Sequence, residues 1–454
     1  MSPELFALCL QQCDLKPGER VLAAVSGGAD SMCLLDLLSR IRESYPIDVF
    51  CAHAEHGLRG NESLADELFV RQACKDRNIP FISKHIDVLS FAKEKKIGIE
   101  EAARELRYAF LRNTALELCC TAIATAHHNK DQAETLLLRL ARGTDLRGLS
   151  GMQFRTGDLI RPFLDTNPQE LKEYLLLEHI PWREDASNAD LRYARNRIRR
   201  MVLPELTEIQ PNADRAIARF ARVASRDEDY FSQELKKFGI DSPVLLIDGA
   251  AVPRDVFVGL HLSLSSRAIR NLLEAAGFAI DERIIRETAV AAHMKGKRLI
   301  LNLPGNGRLT IGKRIIAAVC PKRVVSDVAL YPGKNETPFG VFFLSPSADQ
   351  TGDGKFFQRI PKETIPFLTV GEYRREETMI PFGRHTPTLL GKLIKDARIE
   401  APLRRSIPIL RYANTPLWIV GIRAAEACRC SGKEDWLLEW RTPVAELAGF
   451  ASCI

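Results

Sequence analysis

At 454 residues the chain has room for two or three domains, and its 46% hydrophobic content suits a globular protein. The sequence contains no apolar run of about eighteen residues and opens on no basic-then-apolar leader, so neither a transmembrane helix nor a secretory signal is expected. Its eleven cysteines follow no disulfide framework, which predicts reduced thiols and a cytoplasmic protein. A net charge of +6 permits a nucleic-acid partner without demonstrating one.

A short helix and a turn at Lys16-Pro17-Gly18 lead into the apolar run Val21–Val25, which reads as a strand. Ser26, Gly27 and Gly28 break it, and Met32, Leu34, Leu35, Leu37 and Leu38 follow at helical spacing. A second strand is expected over Asp48–His53, a helix over about Ser63–Arg77, a strand at Pro80–Lys84 and a long helix over Glu100–Cys119. Another buried strand, Thr121–Ala126, ends at His127-His128. The helix after it starts with Asn129 as N-cap and Gln132 three residues on, and Gly143 stops it. This alternation predicts an α/β, doubly wound parallel sheet over residues 1–210. Residues 211–320 are expected to be mostly helical, with helices near 212–237, 264–276 and 281–293 and a hairpin around Pro304–Gly307. Residues 321–365 read as a linker with short strands, 366–440 as a small α/β unit, and 441–454 as a tail.

Strand, glycine turn and helix start make a phosphate cradle. Adjacent glycines let backbone approach an anion, and the helix N-terminus directs N–H groups at it. Ser26 and Ser31 add hydroxyls. Asp30 adds a negative charge that a bridging Mg²⁺ would make favourable. Asp131 and Glu134 share a helix face. They read either as good charges for a helix start or as a carboxylate pair for Mg²⁺ or an ammonium group. A zinc site with His127 and His128 lacks the further ligands it needs. His53 and His56 read as a loop at a nucleotide pocket or, for His53, as a satisfied strand-end histidine. The run Arg195, Arg197, Arg199, Arg200 is a solvated helix face or a phosphate contact. Arg374, Arg375, Arg384, Lys392, Lys395, Arg404 and Arg405 are interleaved with apolar residues. They fit a plain amphipathic helix or a salt-dependent phosphate-backbone surface.

The string Ser26-Gly-Gly-Ala-Asp-Ser31 resembles the pyrophosphate-binding loop of the N-type ATP pyrophosphatases, and is neither a Walker loop nor a dinucleotide turn. Further strings extend the likeness: His56-Gly-Leu-Arg59, Ala103-Arg104, Arg107-Tyr108, and His127-His128 through Asp131-Gln-Ala-Glu134. Arg142-Gly-Thr144, Gly148-Leu149, Gly151-Met152, Arg161-Pro162, Asp185-x-Ser187-Asn188 and Arg195-Asn-Arg-Ile-Arg199 complete the set. Together they resemble the tRNA(Ile)-lysidine synthetase family, strongly over residues 18–204 and again at Trp418–Arg423. One departure is His53-Ala-Glu-His56, where members often carry Val and Asn or Asp between the histidines.

The resemblance implies an adenine nucleotide alpha hydrolase-like fold and an ATP-dependent ligase that joins free lysine to the wobble cytidine of a CAU-anticodon tRNA(Ile). It implies ATP binding by Ser26, Gly27, Gly28, Ala29, Asp30, Ser31, His53 and His56. Catalytic roles fall to Asp30, Asp131, Glu134 and Arg195, and contacts to lysine or the base to His127, His128, Asp131, Glu134 and Arg199. Mg²⁺ would sit at Asp30 and Asp131. Arg374, Arg375, Lys392, Lys395, Arg404 and Arg405 would touch tRNA. A homodimer is compatible with this reading. A tRNA thiolation enzyme built on the same loop, or a nucleotide-switched RNA-binding protein, are the alternatives.

Overall fold

A computed structural model describes residues 3–55, 61–184, 194–320, 325–346, 356–429, 435–442 and 444–447. His56 and the Asp185–Asn188 motif lie outside the described residues. The chain divides into two compact units, Met1–Asp229 and Tyr230–Ile454.

The first unit is built on β1 (Arg20–Ala24), β2 (Asp48–Glu55), β3 (Phe81–His85), β4 (Ala122–Ala124), β5 (Arg155–Thr156) and β6 (Leu159–Ile160). They form one sheet in the order β3-β2-β1-β4-β6-β5, parallel except for the β5–β6 edge pair. Alternate residues of the same strands feed two separate cores. Val21, Ala23, Val49, Cys51, Ala122 and Ala124 pack in one core with helices α1 (Pro3–Gln12), α2 (Ala29–Ile41) and α8 (Pro168–Leu177). Leu22, Ala52 and Ile123 pack in the other with Val88, Ala102, Phe110 and Leu111. These four come from α4 (Val88–Lys95) and α5 (Ile99–Glu117). Covering both faces is why the central strands read as unbroken apolar runs. Between them come α3 (Asn61–Asp76), α6 (Asn129–Arg142) and α7 (Leu146–Leu149). From β1 the chain winds out through β2 to β3 and returns on the opposite side as β4. The β1/β4 junction is therefore a topological switch point, with a crevice beyond the strands' carboxyl ends.

The structure starts α6 one residue earlier than the sequence reading. His128, not Asn129, is its N-cap, and Asp131, not Gln132, closes the capping box. The Asp131 carboxylate accepts the His128 N–H at 3.0 Å. Gln132 instead clamps the following loop, donating to Met152 O at 2.8 Å and accepting Met152 N–H at 2.7 Å.

Helix α9 (Ala194–Arg197) runs into a π-helical turn, Ile198–Val202, and then α10 (Leu203–Ile209). The long α11 (Ala213–Lys237) follows. In the second unit α12 (Leu262–Ala275) and α13 (Glu282–His293) pack on a five-stranded antiparallel sheet. Its strands are β7 (Val244–Leu246), β8 (Gly249–Pro253), β9 (Leu299–Leu303), β10 (Gly307–Ile311) and β11 (Ile315–Val319), in the order β7-β8-β11-β10-β9. The helices and hairpin of the sequence reading are present, but β7, β8 and β11 were not foreseen. Ala250-Ala251 and Ala317-Ala318 are small residues that carry no period-2 signal, yet all four are fully buried.

Residues 321–365 are not a linker. Strands β12 (Val328–Ala329), β13 (Gly333–Thr337), β14 (Gly340–Pro346) and β15 (Phe357–Ile360) come from this stretch. Strands β14 and β15 both pair with Trp436–Arg441 near the C-terminus. The described 230–320 and 366–440 segments pack against each other. Ala251, Ile315 and Ala317 share one core with Leu390, Ile394, Ile409 and Ile419. Among its described residues the 366–440 stretch carries far more strand than helix, the α-helix there being the short α14 (Leu390–Asp396). Among the described residues no helix is long and apolar enough to cross a membrane.

Candidate active site

The loop after β1 is shaped by one hydroxyl. Ser31 Oγ accepts the N–H groups of Ser26 and Gly27 at 3.2 Å each and donates to Gly28 O at 2.9 Å. The turn requires φ +95° at Gly27, a conformation that favours glycine. Gly28 has no such requirement. A Cβ there would meet Ser26 Oγ at 3.7 Å and Arg183 O at 4.0 Å, both ordinary contacts. Gly28 precedes α2 as N-cap without a side-chain cap. The N–H groups at the start of α2, Ala29 and Asp30 among them, therefore lack intrahelical partners and point out from the sheet edge, where an anion fits. Ser31 builds this cradle from within, being only 7% exposed.

His53 is buried, and its Nδ1–H donates to Val25 O at 2.8 Å. Its ring props the strand end from which the loop departs. Arg183 N–H also bonds the loop, at Gly27 O (3.0 Å), and its side chain pairs with Asp66.

The second half of the site follows β4. Thr125 Oγ1 donates to Ile160 O and accepts Nδ1–H of His127 at 2.9 Å. That leaves the His127 Nε2 lone pair available. Burial, reinforced by the Arg195, Arg161 and Arg107 guanidiniums against the pull of Asp131, pushes the His127 pKa down to about 3. His127 is therefore a neutral hydrogen-bond acceptor at physiological pH. His128 goes the other way. Burial disfavours its cation, but Asp30 and Asp131 reverse this and the pKa is raised. Its Nε2 lies 3.6 Å from Asp30 Oδ2, and its Nδ1 lies 3.4 Å from Asp131 Oδ2. His128 thus links the β1 loop to the β4 helix. The other oxygen of Asp30, Oδ1, is buried and has no hydrogen-bond partner.

The pair Asp131 and Glu134 is engaged. Glu134 is fully buried. Arg195 donates through Nε to Glu134 Oε2 at 2.7 Å and through Nη2 to Asp131 Oδ1 at 2.8 Å. Arg199 donates to Glu134 Oε1 at 2.5 Å, Glu134 Oε2 at 3.1 Å and Asp131 Oδ1 at 3.2 Å. Two guanidinium forks on two carboxylates form a strong, geometrically specific set. Burial would lower the pKa of both arginines, but the two carboxylates raise it. Burial would raise that of Asp131, but His128 and Arg195 lower it. The carboxylates are therefore not vacant ligands here: Asp131 has Oδ1 on two arginines and Oδ2 on His128. Asp30, with its unpartnered Oδ1, is the better place for a cation. Among the described residues no cluster of three or more acidic, His or Cys side chains forms a metal site. Mg²⁺ needs none, since one carboxylate with substrate phosphates and water suffices.

The sequence reading did not assign Arg107, Arg161 or Thr125. Thr125 fixes the His127 tautomer, and the two guanidiniums depress its basicity. Both arginines belong to quoted motif strings, but only the fold brings them to His127.

The C-terminal basic residues divide into two sets. Arg405 pairs with Glu372 and Asp248, and Arg374 with Asp327 and Glu377. Arg404 Nε donates to Ile399 O at 3.1 Å. These three tie the unit together. Arg375, Lys392 and Lys395 are exposed.

Residues 5–206 match the PP-loop domain family, and residues 368–440 match the TilS substrate C-terminal domain family. A tRNA(Ile)-lysidine synthase of Geobacter sulfurreducens is 31% identical over 436 residues, covering 91% of each chain. One from Clostridium perfringens is 39% identical over 445 residues, covering 92% of this chain and 94% of the other. One from Thermosipho africanus is 42% identical over 206 residues, 45% of this chain and 48% of its own. With a phosphate cradle at the switch point and matches running nearly end to end, the chain is an ATP-dependent ligase of tRNA modification and belongs to the tRNA(Ile)-lysidine synthase family.

Proposed function

We propose that the β1/β4 crevice binds ATP and free lysine and modifies the wobble cytidine of a tRNA(Ile) bearing the CAU anticodon. The observation that carries this is the meeting, at adjacent strand ends, of an uncapped helix N-terminus, an orphaned Asp30 oxygen and a buried acid pair held by arginines. The α2 N–H groups hold the ATP phosphates. Asp30 would hold Mg²⁺, which would neutralise phosphate charge. The cytidine O2 attacks the α-phosphorus, the bond to the β-phosphate breaks, and pyrophosphate leaves. The lysine ε-amine then attacks C2, and the C2–O bond breaks to release AMP. Free lysine arrives as a cation, with a pKa of about 10.4. It enters by replacing a guanidinium on Glu134, which receives a proton from the amine before attack. The displaced Arg195 or Arg199 turns its charge to the adenylate phosphate. His127 Nε2, neutral, accepts a hydrogen bond from substrate.

Cys119 and Cys120 precede β4, at the strand end opposite these loops. We place the reaction in the cytoplasm, and a homodimer is checked by light scattering. The deciding experiment supplies labelled lysine, ATP and a CAU-anticodon tRNA(Ile) transcript in single turnover. Pyrophosphate release with lysine retained on the tRNA supports the proposal. ATP binding with no lysine-dependent product makes the protein a nucleotide-switched binder instead.

A further inference from the structure

The loop between the short strands Thr378–Met379 and Thr388–Leu389 presents an aromatic ring to solvent. Phe382 is 44% exposed, flanked in the chain by Ile380 at 40%. Burial does not explain its position, yet the backbone around it is held firmly. Phe382 N–H donates to Ala424 O at 2.9 Å, and Glu426 N–H to Ile380 O at 2.8 Å. Gly383 N–H donates to the Glu426 carboxylate at 2.7 Å, and Arg423 Nη2 to Phe382 O at 2.9 Å. Gly383 takes φ +77°, which turns the chain directly after the ring. An exposed ring on a pinned loop loses little freedom when it meets a ligand.

The surroundings are basic. The Arg429 guanidinium lies 5.0 Å from the Phe382 ring centroid, and Arg384, His385 and Arg423 are exposed on the same strand-and-loop assembly. Among the described residues the carboxylate bonded to the loop is Glu426, which is engaged by Gly383 and by Arg429, whose Nε donates to it at 2.5 Å. An aromatic face ringed by guanidiniums matches a nucleobase with its flanking phosphates better than it matches an apolar protein surface.

We propose that Phe382 is a stacking platform for one unpaired nucleobase of the bound tRNA, with Arg384, Arg423 and Arg429 meeting the neighbouring phosphates. This rests on the tRNA-binding reading above and adds to it a subsite for a single base.

The test uses the full-length chain and tRNA(Ile) transcripts that each carry one 2-aminopurine at an unpaired position. Phe382→Ala is expected to weaken tRNA binding about tenfold while leaving ATP affinity and the salt dependence of tRNA binding unchanged. Phe382→Trp restores affinity. Phe382→Leu, which keeps an apolar side chain, does not. One transcript is quenched by the wild type and by Phe382→Trp but not by Phe382→Leu. Arg429→Ala lowers the salt slope by about one phosphate contact. Wild-type affinity in Phe382→Ala, or full rescue by Phe382→Leu, overturns the platform while leaving the wider reading intact. A wild-type chain with no affinity for tRNA overturns both.

Discussion

Two arginine–carboxylate networks, one in each unit, use the same chemistry to opposite ends. In the second unit Arg411 is fully buried and donates to Glu377 twice at 2.7 Å, to Glu372 O at 2.5 Å and toward Asp327 at 3.5 Å. Arg374 and Arg405 extend the set to Asp327, Glu377, Glu372 and Asp248. Several of these partners are far apart in sequence, Arg405 and Asp248 by 157 residues and Arg411 and Glu377 by 34, so the network fastens segments together. In the first unit Arg195 and Arg199 grip Asp131 and Glu134, but the arginine side chains remain 25% and 37% exposed. The carboxylates sit on the first turns of a helix beyond a parallel strand. There a guanidinium can be exchanged for another cation. Position beyond the carboxyl end of a parallel strand, not strength of the pair, separates a tie from a site.

The largest expected effect breaks the tie. Arg411→Ala removes a fully buried guanidinium that holds the half-buried Glu377 carboxylate and Glu372 O, so urea unfolding should show a loss of about 3–5 kcal/mol. ATP affinity, a property of the first unit, should not change. If stability holds, Arg411 is not structural and the contrast collapses.

Next comes the exchangeable pair. Glu134→Gln keeps the shape and removes the charge. We expect lysine transfer to fall by roughly a hundredfold, about 2.7 kcal/mol, with adenylated tRNA accumulating in single-turnover kinetics. Blocked adenylate formation with unchanged lysine dependence would instead assign Glu134 to the first step. A variant that lost only thermal stability would make the pair a tie like Arg411.

A smaller effect concerns His127. Its pKa is pushed down to about 3, whereas an unfolded chain has a value near 6.5. Between these values the unfolded state binds the extra proton, so stability falls as pH falls. From pH 7 to pH 5 this histidine should cost about 2 kcal/mol, opposed by His128, whose raised pKa favours the folded state at lower pH. His127→Gln should flatten the acid side of the stability profile. An unchanged profile would place His127 in water.

The smallest effect lies on the basic surface. Lys392→Ala and Lys395→Ala should each reduce the salt slope of tRNA binding by about one and leave stability unchanged. Arg405→Ala should do the reverse, destabilising the fold with no specific change in slope. Equal behaviour of the three would erase the division between exposed and paired cations.

Much of the first unit was readable along the chain because its signals are local. A buried parallel strand is an apolar run, a phosphate turn needs glycine at Gly27, and helices α2 and α5 announce themselves by period. The helices of the second unit were equally visible. Its sheets were not, because pairing such as β14 with Trp436–Arg441 joins segments about a hundred residues apart, and short strands of Ala, Gly and Asn carry no pattern of their own. The same limit governed the site. Sequence alone determined which residue types were available: a glycine loop, two histidines, an acid pair and a run of arginines. Only tertiary structure decided that the arginines close on the acids, that His128 bridges Asp30 to Asp131, and that burial with distant guanidiniums keeps His127 neutral. Charge pairing and pKa depend on distances of a few ångströms across the fold, and no spacing along the chain encodes those.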